Sequence, residues 1–102
     1  MHILIINFTL NNVSRSEYEA ICDEVAPAFA EIPGLISKKW LANEETNTYG
    51  GVYLWTDRQA MLDYQASDIY KGIGANPAFA NMTATDFELL DAPSKVTGVD
   101  VG

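Results

Sequence analysis

Histidine, cysteine and positive charge are scarce in this chain, and each scarcity removes a class of chemistry. One residue in 102 is His and one is Cys. The single histidine, His2, stands at the start of the chain. Metal-ligand spacings such as His-x-x-x-His or Cys-x-x-Cys are therefore missing, and no metal is expected. Cys22 cannot close an internal disulfide, which fits a reducing compartment. With no histidine near it in sequence, a Cys–His nucleophile is not supported either. Six Lys and Arg against fourteen Asp and Glu leave a net charge of -8, a field that repels phosphate backbones and anionic lipid surfaces. Neither nucleic acid nor a membrane is an expected partner. No apolar run reaches the roughly 18 residues that would span a bilayer. The opening "MHILIINFTLNN" lacks the basic start and small-residue cleavage site of a signal peptide, so a cytoplasmic location is expected.

What is present is ordinary globular material: 48% apolar residues with 11% aromatics, enough for a core and far from a disordered composition. The length suits one domain. "HILIINFTL" is a β-branched apolar run closed by Asn11-Asn12 and reads as a strand over about 2–10. "SRSE" sets Ser14 three residues before Glu17 as a capping box. Tyr18, Ile21, Cys22, Val25, Phe29 and Ile32 then follow at helical spacing. On that stripe Cys22 is expected to pack as a small hydrophobe. Pro27 predicts a kink or break near Glu24 to Pro27, and Pro33-Gly34 ends the helix.

Alternation returns over Leu35–Ala42, with Ile36, Lys38 and Trp40 on one face and Leu35, Ser37, Lys39 and Leu41 on the other. "NEETNT" is polar connection. "YGGVYLWT" is a third strand that puts Gly51, Tyr53 and Trp55 together, and the two strands predict an antiparallel hairpin. Asp57 caps a helix carrying Ala60, Met61 and Tyr64, and Ser67 caps a short further turn through Ile69, Tyr70 and Ile73. Gly72, Gly74 and Pro77 predict irregular chain after it. "FANMTATDFELLD" is a fourth strand, and residues 93–102 form an extended or mobile tail beyond a domain spanning 1–92.

Strand, helix, strand, strand, helix, strand is the order of a ferredoxin-like βαββαβ α+β domain: four antiparallel strands with helices on one face. The other face lacks a cover. A second copy of the same sheet is the simplest partner for it, so a homodimer is expected.

"PGLISKKW", the interval from Trp40 to Gly50-Gly51, "GGVYLWTD" and "FELLDAPS" together resemble the YdhR-like putative monooxygenases of the dimeric α+β barrel superfamily. The resemblance runs from the first strand to Ser94. It implies a dimer with stacked sheets and a pocket in each subunit between sheet and helices. The superfamily includes cofactor-free monooxygenases of phenols and quinols, and haem-degrading enzymes. The haem-degrading enzymes resemble this chain at Asn7 and Trp55 but carry a haem-ligating His on the helix after the third strand. In the matching "SDIYKGIGANP" this chain has none, which leaves only another type of ligand such as Tyr70. The activity implied is cofactor-free oxygenation of a small aromatic or polycyclic hydroxylated molecule; the alternative is a non-catalytic small-molecule-binding or dimerisation module of the same fold.

On this reading the catalytic candidates are Asn7 and Trp55, and the substrate-binding candidates are Tyr53, Tyr64 and Trp40. Each has a structural alternative. Asn7 is a polar amide inside an apolar strand that either satisfies itself with backbone or water, or orients a substrate oxygen. Trp40 serves core or dimer interface, or the substrate; Trp55 belongs to core or pocket. The phenols of Tyr53 and Tyr64 find backbone acceptors or a substrate oxygen. Gly50-Gly51 marks a bulge or a close backbone approach. Of Lys38 and Lys39 one must point to each face; a solvated surface role is the expected one, and whichever meets pocket or interface could instead pair with a carboxylate or an anionic substrate. An obvious base is missing, which leaves water, the substrate's own acidity or a carboxylate such as Asp86.

Overall fold

The computed structural model describes residues 1–98; the last four positions of the expected tail lie outside the described residues. Four strands form one antiparallel sheet in the order β2-β3-β1-β4, with β1 at His2–Leu10, β2 at Leu35–Asn43, β3 at Thr48–Trp55 and β4 at Phe79–Glu88. The helices are α1 (Arg15–Ala30), α2 (Arg58–Gln65), α3 (Asp68–Ala75) and a short α4 (Asp91–Val96). Helix α1 packs on β2, α2 on β1 and β3, and α3 on β4. This is the ferredoxin-like α+β arrangement.

Strand β1 pairs with β3 on one side and β4 on the other, and its strict alternation of burial divides the sheet into two faces. His2, Leu4, Ile6, Phe8 and Leu10 are buried. They sit across from Trp55 (His2), Tyr53 (Leu4), Gly51 (Ile6) and Tyr49 (Phe8). Together with Tyr18 and Phe29 of α1 and Met61 and Tyr64 of α2, these residues make the core. Each large side chain so removed from water contributes roughly 1.5–3 kcal/mol. The other face carries Ile3, Ile5 and Asn7, opposite Leu54, Val52 and Gly50.

Local chemistry explains most element ends. Ser14 Oγ accepts from the Glu17 amide and Glu17 Oε1 accepts from the Ser14 amide, at 3.1 and 3.0 Å, completing the capping box. Asp57 accepts from Ala60 N at 2.8 Å and starts α2. Ser67 Oγ accepts from Tyr70 N and starts α3. In β3, Gly50 has φ +152°, and a Cβ built there would collide with the Ile6 carbonyl. The backbone of β1 passes too close for any side chain.

Four local expectations change. Helix α1 runs unbroken from Arg15 to Ala30 with Pro27 inside it. The lost donor falls in the last turn, where burial of Phe29 holds the chain in place. A register shift between Leu35 and Ser37 puts Leu35 opposite Trp55, so it joins the helix-covered side instead of facing away from Trp40. Gly72 and Gly74 lie within α3, an eight-residue helix rather than a single turn. Residues 93–96, expected to belong to an extended or mobile tail, lie in the short helix α4 (Asp91–Val96). Pro93 sits in its first turn, where a missing backbone donor costs nothing.

Candidate active site

A cavity of about 390 Å³ opens between the helix-covered face of the sheet and α1, α2 and α3. Ile6 and Phe8 of β1 form its floor with Tyr53 of β3. Tyr18, Cys22 and Phe29 of α1 form one wall, Tyr64 and Tyr70 of α2 and α3 another, and Lys38 and Trp40 of edge strand β2 the rim. Trp40 is 36% exposed and meets Phe29 edge to face at 5.3 Å. Tyr53, Tyr64 and Tyr70 follow in chain, with ring centroids 5.4 and 5.3 Å apart. The Phe29–Trp40 and Tyr64–Tyr70 pairs are edge to face, which sets ring edges against ring faces, the favoured electrostatics for aromatic pairs, while Tyr53 and Tyr64 are tilted to each other.

The polar groups in this wall are few. Tyr53 and Tyr64 hydroxyls share a hydrogen bond of 3.3 Å. Burial pushes the Tyr53 phenol well above the ordinary tyrosine range, with its neighbour Tyr64 adding to the effect. Burial likewise pushes Tyr64 up to about 12. Both therefore stay protonated at neutral pH and can donate a hydrogen bond without acting as a base. Burial also raises the Cys22 thiol, which makes it a packing residue on the cavity wall rather than a thiolate.

Lys38 is the cation of the cavity. Its Nζ lies 3.4 Å from the Trp40 ring centroid, 3.7 Å from Phe29 and 4.6 Å from Tyr53. Burial pulls this ammonium down to about 7, while the three ring faces favour its charged form. Its stem runs over Gly51: a Cβ built there would stand 2.8 Å from Lys38 Cε. The two glycines thus do separate jobs. Gly50 admits the backbone of β1, and Gly51 leaves room for the lysine.

Of the five residues singled out in sequence, Tyr53, Tyr64 and Trp40 line this cavity. Trp55 stands one ring behind the wall, with no exposed surface. It stacks on Tyr53 at 6.0 Å and 3° and lies tilted against Tyr64 at 5.2 Å. Its Nε1 is buried without a hydrogen-bond partner among the described residues. Asn7 is on the other face of the sheet, paired across from Gly50 and Thr83, and does not line the cavity. Asp86 is engaged elsewhere: its Oδ2 lies 2.7 Å from Nε2 of buried His2. Periodicity in the sequence leaves Lys38 open between faces, and the apolar stripe of α1 does not set Phe29 apart from its neighbours. The useful signal was the pairing of Lys38 with Tyr53 across the hairpin, which alternation alone implies once the register is known.

No curated protein matches the chain. Among solved structures, the fold is similar to a mutant form of SnoaB, a cofactor-independent oxygenase from Streptomyces nogalater. That pair is 22% identical with a TM-score of 0.69, over 88% of this chain and 93% of the other. It is also similar to NE2512 of Nitrosomonas europaea, a protein of unknown function, at 16% identity and TM-score 0.73 over 89% and 90% of the two chains. A mutant of MhuD, whose structure holds two manganese protoporphyrin IX groups per active site, is 19% identical with TM-score 0.71 over 100% and 99%. Likeness at these identities establishes the fold. The model of the family described as "Putative mono-oxygenase ydhR" matches residues 3–99, nearly the whole chain. The protein belongs to that family.

Proposed function

We propose that the protein is a cofactor-independent monooxygenase whose cavity holds a small aromatic or polycyclic hydroxylated substrate. The observation that carries this reading is the cavity itself: a space of about 390 Å³ walled by Phe29, Trp40, Tyr53, Tyr64 and Tyr70. That size falls within the roughly 300–1,000 Å³ of small-molecule pockets, and ring faces favour a flat aromatic guest. Family membership and likeness to SnoaB support the same reading.

The chemistry asked of the chain is modest. For the simplest case, a phenol and O₂ become a quinone and water. One oxygen atom enters the ring, the other leaves as water, and four electrons pass from substrate to oxygen. An electron-rich substrate anion supplies those electrons itself. The protein's contributions are to exclude water, to hold the ring in one orientation and to place donors at the substrate oxygen. In this subunit Asn7 does not reach the cavity, so hydrogen-bond donation falls to the Tyr53 and Tyr64 hydroxyls. Trp55 backs both rings and keeps them in position.

Oxygen uptake with a panel of hydroquinones and polyphenols tests the reading. Substrate-dependent uptake without added metal, flavin or haem is the expected result. Saturable binding with no uptake would instead establish a ligand-binding module of the same fold.

We also infer a homodimer assembled through the uncovered face of the sheet. Ile3, Ile5 and Val52 lie on that face, and Phe87, across from Ile3 on β4, is 52% exposed. A contiguous apolar sheet face in so small a domain calls for a partner, and a second copy supplies a matching surface.

A further inference from the structure

We propose that Lys38 is the catalytic residue that accepts the proton of the substrate hydroxyl and then holds the resulting oxyanion by its charge. The proposal rests on the oxygenase reading above for its substrate and adds the group that the reading lacks.

Three observations place Lys38 in this role. It is the only Lys or Arg among the residues lining the cavity, and none of the ion pairs among the described residues involves it. Its Nζ sits among three ring faces, at 3.4, 3.7 and 4.6 Å from their centroids. Gly51 leaves the space its stem occupies. An aromatic cage of this kind normally recruits a cationic guest. Here the cage already holds a cation of the chain itself, so the remaining space favours an anion.

The other titratable groups of the cavity do not compete for the role. Tyr18 and Cys22 of α1, Tyr53 of β3 and Tyr64 of α2 are all driven toward their neutral forms by burial. Asp68, on α3, is exposed at the edge of the cavity, and Tyr70 beside it on the same helix is a phenol. Burial brings Lys38 down to about 7, so near neutrality a share of the protein presents a free amine. The step is a single proton transfer: the substrate O–H bond breaks, an N–H bond forms at Nζ, and neutral amine plus neutral phenol become an ammonium–phenolate pair. In a cavity of low polarity that pair attracts far more strongly than in water, and the electron-rich phenolate is the form that gives electrons to oxygen.

Anaerobic titration with 4-nitrophenol, whose phenolate is yellow and whose phenol is colourless, reads this step without turnover. Its methyl ether, 4-nitroanisole, serves as the uncharged control. Wild-type protein is expected to bind the phenolate in preference to the ether and to lower the probe's apparent pKa by one unit or more. Lys38→Met and Lys38→Gln should bind 4-nitroanisole as wild type does and lose the shift. Lys38→Arg, permanently charged, should keep the phenolate shift yet lose oxygen uptake with weakly acidic phenols, because it cannot take the proton. The proposal is overturned if the wild type shows no preference for 4-nitrophenolate over 4-nitroanisole, if the bound probe titrates as it does free, or if Lys38→Met keeps the shift. Failure of oxygen uptake with the shift intact would overturn the oxygenase reading and leave Lys38 standing as the group that takes the proton and holds the bound oxyanion; uptake without the shift would overturn the Lys38 assignment and leave the oxygenase reading standing.

Discussion

Burial holds the Lys38 ammonium away from water, and the cost has a pH signature. Its folded pKa, about 7, lies below the roughly 10.4 of an exposed lysine. The unfolded chain therefore binds more protons between those values, and stability rises with pH across that window. Below about 7 both states are protonated and the burial cost is fully present. Lys38→Met removes the cost, so the variant should be more stable than wild type at pH 6, and its advantage should shrink by about 2–3 kcal/mol by pH 9. Paired urea titrations at the two pH values measure the difference, and a gap independent of pH would refute it. The glycine pair gives a second contrast. Gly50→Ala meets β1 backbone and an unfavourable positive φ and should cost about 2–4 kcal/mol. Gly51→Ala meets mainly the flexible end of Lys38. It should cost under about 1 kcal/mol while displacing the ammonium, and urea midpoints for the two variants separate these outcomes.

At the level of elements, the start of α1 rests on a reciprocal cap. Ser14→Ala removes the acceptor for the Glu17 amide and should destabilise the protein by about 1 kcal/mol, seen as a lower urea midpoint by circular dichroism. The same cap holds the Glu17 carboxylate below the ordinary range through its hydrogen bonds with Ser14. These caps were readable in sequence because they are local, spanning three residues. The hairpin was readable for the same reason, since Trp40 pairs with Gly51 across a short polar loop. The bulge at Leu35–Ser37 was not: alternation of period two cannot reveal an inserted residue until a partner strand sets the register. Nor did composition reveal that α3 tolerates Gly72 and Gly74. A Cβ at Gly72 would meet nothing within 4 Å, so that glycine supplies no packing there, and the helix is carried by its Ser67 cap and by Tyr70 and Ile73 against the core.

For the whole molecule, the sheet face away from the helices is the surface through which the proposed dimer would form. A charge placed at its centre, Ile5→Asp or Val52→Asp, should convert the proposed dimer to monomer in sedimentation equilibrium, since burying an unpaired carboxylate costs several kcal/mol. A wild type that sediments as a monomer at all concentrations would remove the proposal. Among the described residues no helix is long and apolar enough to cross a membrane.

Element order, helix caps, the hairpin and the glycine pair are short-range properties, and the amino-acid sequence by itself determined them. Which face of β1 meets the helices was decided only by tertiary structure. "HILIINF" is apolar in both phases of its alternation, so nothing local tells which side Asn7 takes; pairing with Gly50 put it outside the cavity. The cage around Lys38 is likewise a tertiary product. Phe29, Trp40 and Tyr53 come from a helix and two strands, and a charge in a cavity acquires its chemistry from the rings that close around it.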